Sequence, residues 1–147
     1  QNKSEECFEA HLQANEYSYH QIGFQNRQTN EEWKNLPPIM RYTPDFIAWI
    51  EKKPKFYEVK SATNTFLFKP YPHKYYVQWS KDRATPFIYT ICHWSPIYEM
   101  GYAFIFVDIV KMTQIAGKYK SEYITDVWAK QIPIQDLIDN CIAYIKG

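Results

Sequence analysis

The sequence predicts an α/β fold with a central mixed β-sheet of about five strands flanked by helices. Short apolar stretches of strand length alternate with amphipathic stretches of helix length along the chain. Hydrophobic residues make up 46% of the chain and aromatic residues 18%, which is enough for a packed core. Because 147 residues fit one compact unit, we expect residues 1–147 to form a single domain.

The N-terminal part is predicted to form a helix, a short strand and a surface insertion. Residues 4–15 begin with a serine and two glutamates, which suit the first turn of a helix, and Phe8 and Leu12 then share one face. Tyrosines and an isoleucine alternate over residues 17–22, as in a strand. Residues 23–36 are polar and end at two prolines, which indicates a long surface insertion.

A hairpin and a helix are predicted next. Residues 41–50 and 54–61 have the pattern of strands, and the charged residues 51–53 between them suit a turn. Residues 73–83 have helical character, and the proline at position 86 prevents the helix from continuing.

Two strands and a helix are predicted for the remainder. Residues 87–92 are rich in β-branched and aromatic side chains, and residues 102–110 form an apolar run typical of a strand buried on both faces. Apolar residues recur at helical spacing over residues 134–145, which predicts a closing amphipathic helix.

The most informative feature is an acidic pair with a nearby lysine. Alternate side chains of a strand share a face, so Glu58 and Lys60 point one way while Tyr57 and Val59 point the other. If the hairpin pairs as predicted, Asp45 lies close to Glu58. Two converging carboxylates form an oxygen site suited to Mg²⁺, and a lysine beside it can orient an attacking water. The alternative is a solvated polar face of an ordinary hairpin, but both halves lie on apolar strands.

At this point the chain resembles the PD-(D/E)XK nuclease superfamily, which has the restriction-endonuclease-like fold. Pro44-Asp45 and Glu58-Val59-Lys60 stand as its signature, and the predicted order of elements resembles the family from residue 4 to residue 110. The resemblance implies that Asp45, Glu58 and the carbonyl of Val59 bind metal and that Lys60 assists the water. It also implies Mg²⁺ as cofactor, with Mn²⁺ as a substitute, and DNA as partner, with no small-molecule cofactor.

Members of the family often carry a glutamate in the first helix. Glu5 is the leading candidate here, and Glu6 or Glu9 takes its place if the helix is rotated by one residue. The ordinary explanation of all three is an acidic residue favoured by the helix dipole. Members also often carry a polar residue on the helix after the lysine strand, where Gln78 is the best match; Ser61 is a candidate for a phosphate contact. The alternative for Gln78 is a solvent-facing helix residue, and the alternative for Ser61 is a strand-end hydroxyl without a role.

The charge distribution supports a polyanionic partner independently. The net charge is only +1, which excludes binding of nucleic acid by bulk charge. Residues 51–83, however, carry eight basic and three acidic residues, a net +5, and the rest of the chain carries −4. Lysines with interleaved aromatic residues are typical of surfaces that hold nucleic acid. Lys69 and Lys74 are therefore candidates for nucleic-acid binding; for any single lysine, an ordinary solvated surface residue is the better explanation.

These observations lead to two hypotheses. The first is a metal-dependent DNA endonuclease, with a structure-selective, resolvase-like phage enzyme as the preferred form; 14 lysines against 3 arginines are typical of AT-rich genomes such as those of many phages. The second is a non-catalytic module that binds nucleic acid or protein on the same fold. An RNA-directed nuclease is a further variant of the first.

The sequence also bears on where the protein acts and on whether it forms a dimer. Three unpaired cysteines, no apolar run of membrane-spanning length and no signal-peptide pattern favour a reduced, cytoplasmic environment. A homodimer would bring together the two active sites that junction cleavage needs, with the C-terminal helix as interface. The same helix could equally cover the sheet of a monomer.

Overall fold

The computed structural model describes residues 1–24 and 29–146. Within them the helices are α1 (Lys3–Ala14), α2 (Asn30–Asn35), α3 (Pro38–Arg41), α4 (Pro70–Arg83), α5 (Ile109–Ala116) and α6 (Ile134–Asp139). The strands are β1 (Ser18–Gln21), β2 (Phe46–Ile50), β3 (Lys53–Ala62), β4 (Thr65–Phe68), β5 (Phe87–Trp94), β6 (Tyr102–Asp108), β7 (Glu122–Ile124), β8 (Val127–Pro133) and β9 (Ala143–Lys146). Part of the predicted insertion, residues 25–28, lies outside the described residues; the described part contains α2.

A six-stranded mixed sheet forms the centre of the described structure, in the order β1-β2-β3-β5-β6-β9. Strands β3 and β5 are parallel, and the other neighbours in this sheet are antiparallel. A second, antiparallel sheet has the order β4-β8-β7. The predicted α/β class with a mixed central sheet is confirmed, while the second sheet was not predicted.

The parallel pair requires a crossover connection, and β4 and α4 provide it. Pro70 occupies the start of α4, where its missing N–H costs no hydrogen bond. Ala84 ends the helix with a left-handed φ of 49°, and Pro86 follows. The amide of Phe56 donates a hydrogen bond to the carbonyl of Pro86 at 2.9 Å, which aligns β3 with the start of β5. The crossover thereby lays α4 against the face of the sheet that carries Glu58.

Apolar side chains fill both faces of the central sheet. On one face, Phe8 and Leu12 of α1 pack against side chains that alternate along β2, β3, β5 and β6. On the other face, α4, α5, α6 and the second sheet enclose a larger cluster that includes Phe56 of β3. Tyr57 and Val59 belong to the α1 side, so the predicted alternation along β3 is confirmed.

The predicted closing helix over residues 134–145 is wrong in its second half. Helix α6 ends at Asp139, and β9 then pairs antiparallel with β6. The amide of Ile142 donates to the carbonyl of Phe106 at 2.8 Å, which starts this pairing. An unpaired β6 would leave a row of backbone donors and acceptors without partners, and this tertiary requirement outweighs the helical spacing of the apolar residues.

The apolar run over residues 102–110 also ends earlier than predicted. The side chain of Asp108 accepts a hydrogen bond from the amide of Val110 at 2.8 Å and caps α5. Helix α5 was not predicted, because Ile109 and Val110 are β-branched and extend the pattern of the strand. At the N-terminus, Asn2 rather than Ser4 caps α1, and Ser4 is buried.

The predicted strand over residues 41–50 begins later than expected, because residues 41–45 are not part of β2. Helix α3 ends at Arg41, and β2 begins at Phe46. Within the described residues, Cys7, Cys92 and Cys141 are free thiols. No helix in the described part of the chain is long and apolar enough to cross a membrane.

We expect Phe8→Ala to lower the free energy of unfolding by about 3–5 kcal/mol, because the ring is fully buried and its loss leaves a cavity. The Phe8 ring lies 5.4 Å from the rings of both Phe46 and Tyr57, centroid to centroid. Urea unfolding followed by circular dichroism measures the loss. The control Ala10→Gln changes an exposed position of the same helix and should stay within about 0.5 kcal/mol. A loss below about 1 kcal/mol for Phe8→Ala would contradict the packing of α1.

Candidate active site

The register of β2 and β3 places Asp45 beside Glu58. Phe46 pairs with Tyr57 in an antiparallel register. Asp45, which precedes Phe46, is therefore a neighbour of Glu58, which follows Tyr57. Glu58 Oε1 accepts a hydrogen bond from the amide of Asp45 at 3.2 Å, and Asp45 Oδ2 accepts one from the amide of Val59 at 2.8 Å. These crossed hydrogen bonds hold both carboxylates at the end of the hairpin.

Gly23 packs closely over Asp45. The amides of Ile22 and Gly23 donate to the carbonyl of Asp45 at 3.0 and 3.3 Å. A Cβ on Gly23 would lie 3.1 Å from Asp45 Cα and 3.3 Å from Asp45 Oδ1. A side chain at position 23 would therefore crowd the carboxylate. No local pattern indicates this role, since Gly23 stands at the start of a polar stretch.

Lys60 and Tyr76 converge on the same oxygen of Glu58. Lys60 Nζ lies 3.1 Å from Glu58 Oε2, and the hydroxyl of Tyr76 donates to this oxygen at 3.1 Å. Burial, followed by the negative charges of Glu58 and Asp45, raises the pKa of Tyr76 well above its ordinary value, so the hydroxyl remains a donor. Tyr76 was missed as a site residue, because an aromatic residue within a helix has the pattern of a core residue.

Glu5 is the glutamate of α1 that lies near the acidic pair. Its pKa is raised first by burial and then by the charge of Glu58. Glu6 is exposed, and Glu9 accepts hydrogen bonds from Tyr19 (2.8 Å) and from the Gln1 side chain (3.0 Å). The geometry thus favours Glu5 over the other two candidates.

The site holds more negative than positive charge. Burial raises the pKa of Asp45 well above its ordinary value, and the charges of Glu58 and then Glu5 raise it further. Burial lowers the pKa of Lys60, but the carboxylates of Glu58 and Asp45 outweigh this effect, so the net shift is upward. Lys60 is therefore a firmly protonated cation that faces three acidic groups. A bound cation would relieve the remaining repulsion.

The donor set fits a hard divalent cation. Asp45 and Glu58 offer carboxylate oxygens, and Asp45 Oδ1 accepts no hydrogen bond within the described part of the chain. The amide and carbonyl of one strand residue point to the same side, so the carbonyl of Val59 faces Asp45 as its amide does. No group of three or more His, Cys, Asp or Glu residues among residues 1–24 and 29–146 is arranged to hold a metal. Two carboxylates and a carbonyl are nevertheless sufficient for Mg²⁺, which keeps several waters.

A cavity of about 570 Å³ lies in front of the acidic pair. Lys60 and Lys69 line it, and an adjoining cavity of about 220 Å³ is lined by the same two lysines and by Ser61. Lys74 and Gln78 are exposed on α4 outside both linings, with Lys74 Nζ 4.5 Å from the ring centroid of Tyr71. Of the four predicted nucleic-acid contacts, two therefore lie at the cavities and two on the outer surface of α4.

Comparison with known proteins identifies the fold. The structure is similar to that of Hjc, a Holliday junction resolvase from the archaeal hyperthermophile Archaeoglobus fulgidus, with a TM-score of 0.53 and 12% sequence identity. The match covers 92% of this chain and 98% of that chain. The fold that the predicted resemblance implied is thereby confirmed, and the likeness is one of fold alone. No family model matches the sequence, and no curated protein matches it.

The raised pKa of Asp45 predicts a loss of stability as pH rises in metal-free protein. A carboxyl whose pKa is raised on folding stabilises the fold below its ordinary pKa of about 3.9 and loses that contribution as pH rises through the raised value. Asp45→Asn does not titrate and keeps an oxygen for the amide of Val59. We therefore expect its Tm at pH 7 in EDTA to exceed that of the wild type, by about 4 °C for each kcal/mol regained.

Thermal melts between pH 4 and pH 8 measure this difference. Asp126→Asn is the matched control, since Asp126 also lines the cavity but is exposed, and its melts should follow the wild type. If Asp45→Asn melts below the wild type at pH 7, the proposed repulsion within the site is wrong.

Proposed function

We propose that the protein is a divalent-metal-dependent endonuclease that hydrolyses phosphodiester bonds in DNA. The convergence of Asp45, Glu58 and Lys60 at one strand end, beside a cavity, is the observation that carries this proposal. A module that only binds has no need to hold two carboxylates against each other at a cost in stability. The likeness of the fold to that of a Holliday junction resolvase supports a structure-selective enzyme.

Each residue has a distinct role in the proposed reaction. Asp45, Glu58 and the carbonyl of Val59 would hold Mg²⁺, which supplies charge stabilisation for the phosphate when bound. Lys60, kept protonated by the two carboxylates, donates hydrogen bonds to the attacking water or to a phosphate oxygen. Its ammonium group therefore orients and stabilises rather than removing a proton.

Tyr76 is a positioning residue in this scheme. Its hydroxyl donates to the same Glu58 oxygen that contacts Lys60, so it limits the rotation of this carboxylate. Glu5 lies close enough to affect Asp45 electrostatically and adds to the negative charge that favours a cation. We further expect the enzyme to act as a homodimer and to be encoded by a phage, as the sequence suggests.

Cleavage assays with Mg²⁺ test the proposed roles. We expect Lys60→Ala and Asp45→Asn each to lower the rate of cleavage of plasmid DNA and synthetic four-way junctions by about 10²-fold or more, because each removes a charge from the reacting centre. Lys81→Ala is the matched control, since Lys81 is exposed at the far end of α4. Cleavage that persists at the wild-type rate in both site variants would exclude this active site. Parallel assays with single-stranded DNA and RNA establish the class of nucleic acid.

Titration with Mn²⁺ separates an enzyme from a binding module. If Glu58 is a metal ligand, Mn²⁺ should raise the Tm of the wild type and leave that of Glu58→Gln unchanged. A tenfold change in free Mn²⁺ above Kd adds about 1.4 kcal/mol of stability. Equal responses of the two proteins would instead favour a non-catalytic module on the same fold.

A further inference from the structure

Exposed apolar side chains gather at the cavity beside the acidic pair. Phe24, Tyr71 and Trp128 are 42%, 48% and 61% exposed, and all three line this cavity. Trp33, half-buried, lines it too, with its ring 6.2 Å from that of Phe24. Aromatic rings that remain exposed around one concave site mark a binding surface rather than a core.

Trp128 is carried on a hairpin with a defined orientation. Thr125 and Asp126, between β7 and β8, have φ values of 46° and 66°. Positive φ at both central residues is the backbone of a type I′ turn, which matches the twist of paired strands. The left-handed conformation is uncommon for a β-branched residue such as Thr125. The Trp128 ring also packs edge-on against Tyr123, with centroids 5.5 Å apart. The indole is thus held in place although it is exposed.

The same cavity contains cations without partners. Arg41 lines it, and its Nε atom is buried and has no hydrogen-bond partner in the described part of the chain. Among the described residues, neither Arg41 nor Lys69 forms an ion pair, whereas Lys60 is paired with Glu58. A guanidinium and an ammonium group that line a cavity and form no ion pair are suited to bind an anionic group of a ligand.

We propose that this cavity holds an unpaired nucleotide of the substrate, with its base stacked on the aromatic wall around Trp128 and a phosphate held by Arg41 and Lys69. A volume of about 570 Å³ accommodates one small ligand but not a double helix. A base within a duplex has both faces covered by its neighbours, so only an unpaired base can stack here. This inference rests on the proposed function and narrows its substrate to DNA with unpaired nucleotides near the scissile phosphate.

Binding measurements in the Asp45→Asn background test the inference without cleavage. The probes are a fully paired DNA duplex and the same duplex with a short unpaired bulge that carries 2-aminopurine, whose fluorescence falls on stacking. We expect tighter binding of the bulged DNA and quenching of its fluorescence. Adding Trp128→Ala should weaken binding of the bulged DNA by about tenfold, change binding of the paired duplex by less than about twofold, and abolish the quenching. Trp128→Phe should restore most of the affinity.

Arg41→Gln tests the phosphate contact separately. It should weaken binding of the bulged DNA and reduce the slope of log K against log salt concentration by about one. Ile97→Ala, which changes an exposed apolar residue on another loop, is the control and should match the parent in both measurements. Thermal melts of each variant verify that the fold is retained.

The outcomes separate this inference from the proposed function. If Trp128→Ala weakens binding of both DNAs equally or of neither, the stacking site is wrong, even where the wild type cleaves DNA. If the wild type cleaves neither DNA in Mg²⁺ or Mn²⁺ while the bulge preference depends on Trp128, the nuclease function is wrong and the binding site stands. Cleavage of bulged DNA in preference to duplex, lost in Trp128→Ala but kept in Ile97→Ala, supports both.

Discussion

The crossed hydrogen bonds between Asp45 and Glu58 determine where every other group of the site can lie. Glu58 accepts from the amide of Asp45, and Asp45 accepts from the amide of Val59, so the register of β2 and β3 and the position of the acids are fixed together. A slip of one residue would turn Glu58 and Lys60 to the opposite face, where α1 packs. Tyr76 reaches Glu58 because the crossover packs α4 against the face of the central sheet that carries the Glu58 side chain.

The acidic pair and Lys60 were recognisable from the sequence because their arrangement is local. A short hairpin turn and the two-residue period of a strand suffice to place them. Gly23, Arg41 and Tyr76 reach the site through contacts between distant elements, and nothing in their immediate neighbours indicates this. For Gln78 and Lys74 the helix itself was predicted, but its rotation was not: α4 turns Tyr76 inward and leaves both of these residues exposed.

The same distinction holds for the fold. Strands β1, β2, β3, β5 and β6 and the helices α1 and α4 follow from patterns within each segment, and the structure confirms them to within a few residues at most ends. The C-terminal residues 140–146 could pack as helix or strand by pattern alone, and the free edge of β6 decides the outcome. The second sheet depends on pairing β4 with β8, which lie more than sixty residues apart in the chain, so no local signal announces it.

That separation along the chain has a consequence for how the molecule can change. The groups that form hydrogen bonds or ion pairs with Asp45 and Glu58 come from residues before α4 ends, whereas Trp128 stands on a hairpin that joins the rest of the fold mainly through β4. Substitutions in this hairpin leave the register of β2 and β3 intact. Under the proposed function, substitutions in β7 and its turn would therefore alter substrate choice without altering the acidic pair that carries out cleavage.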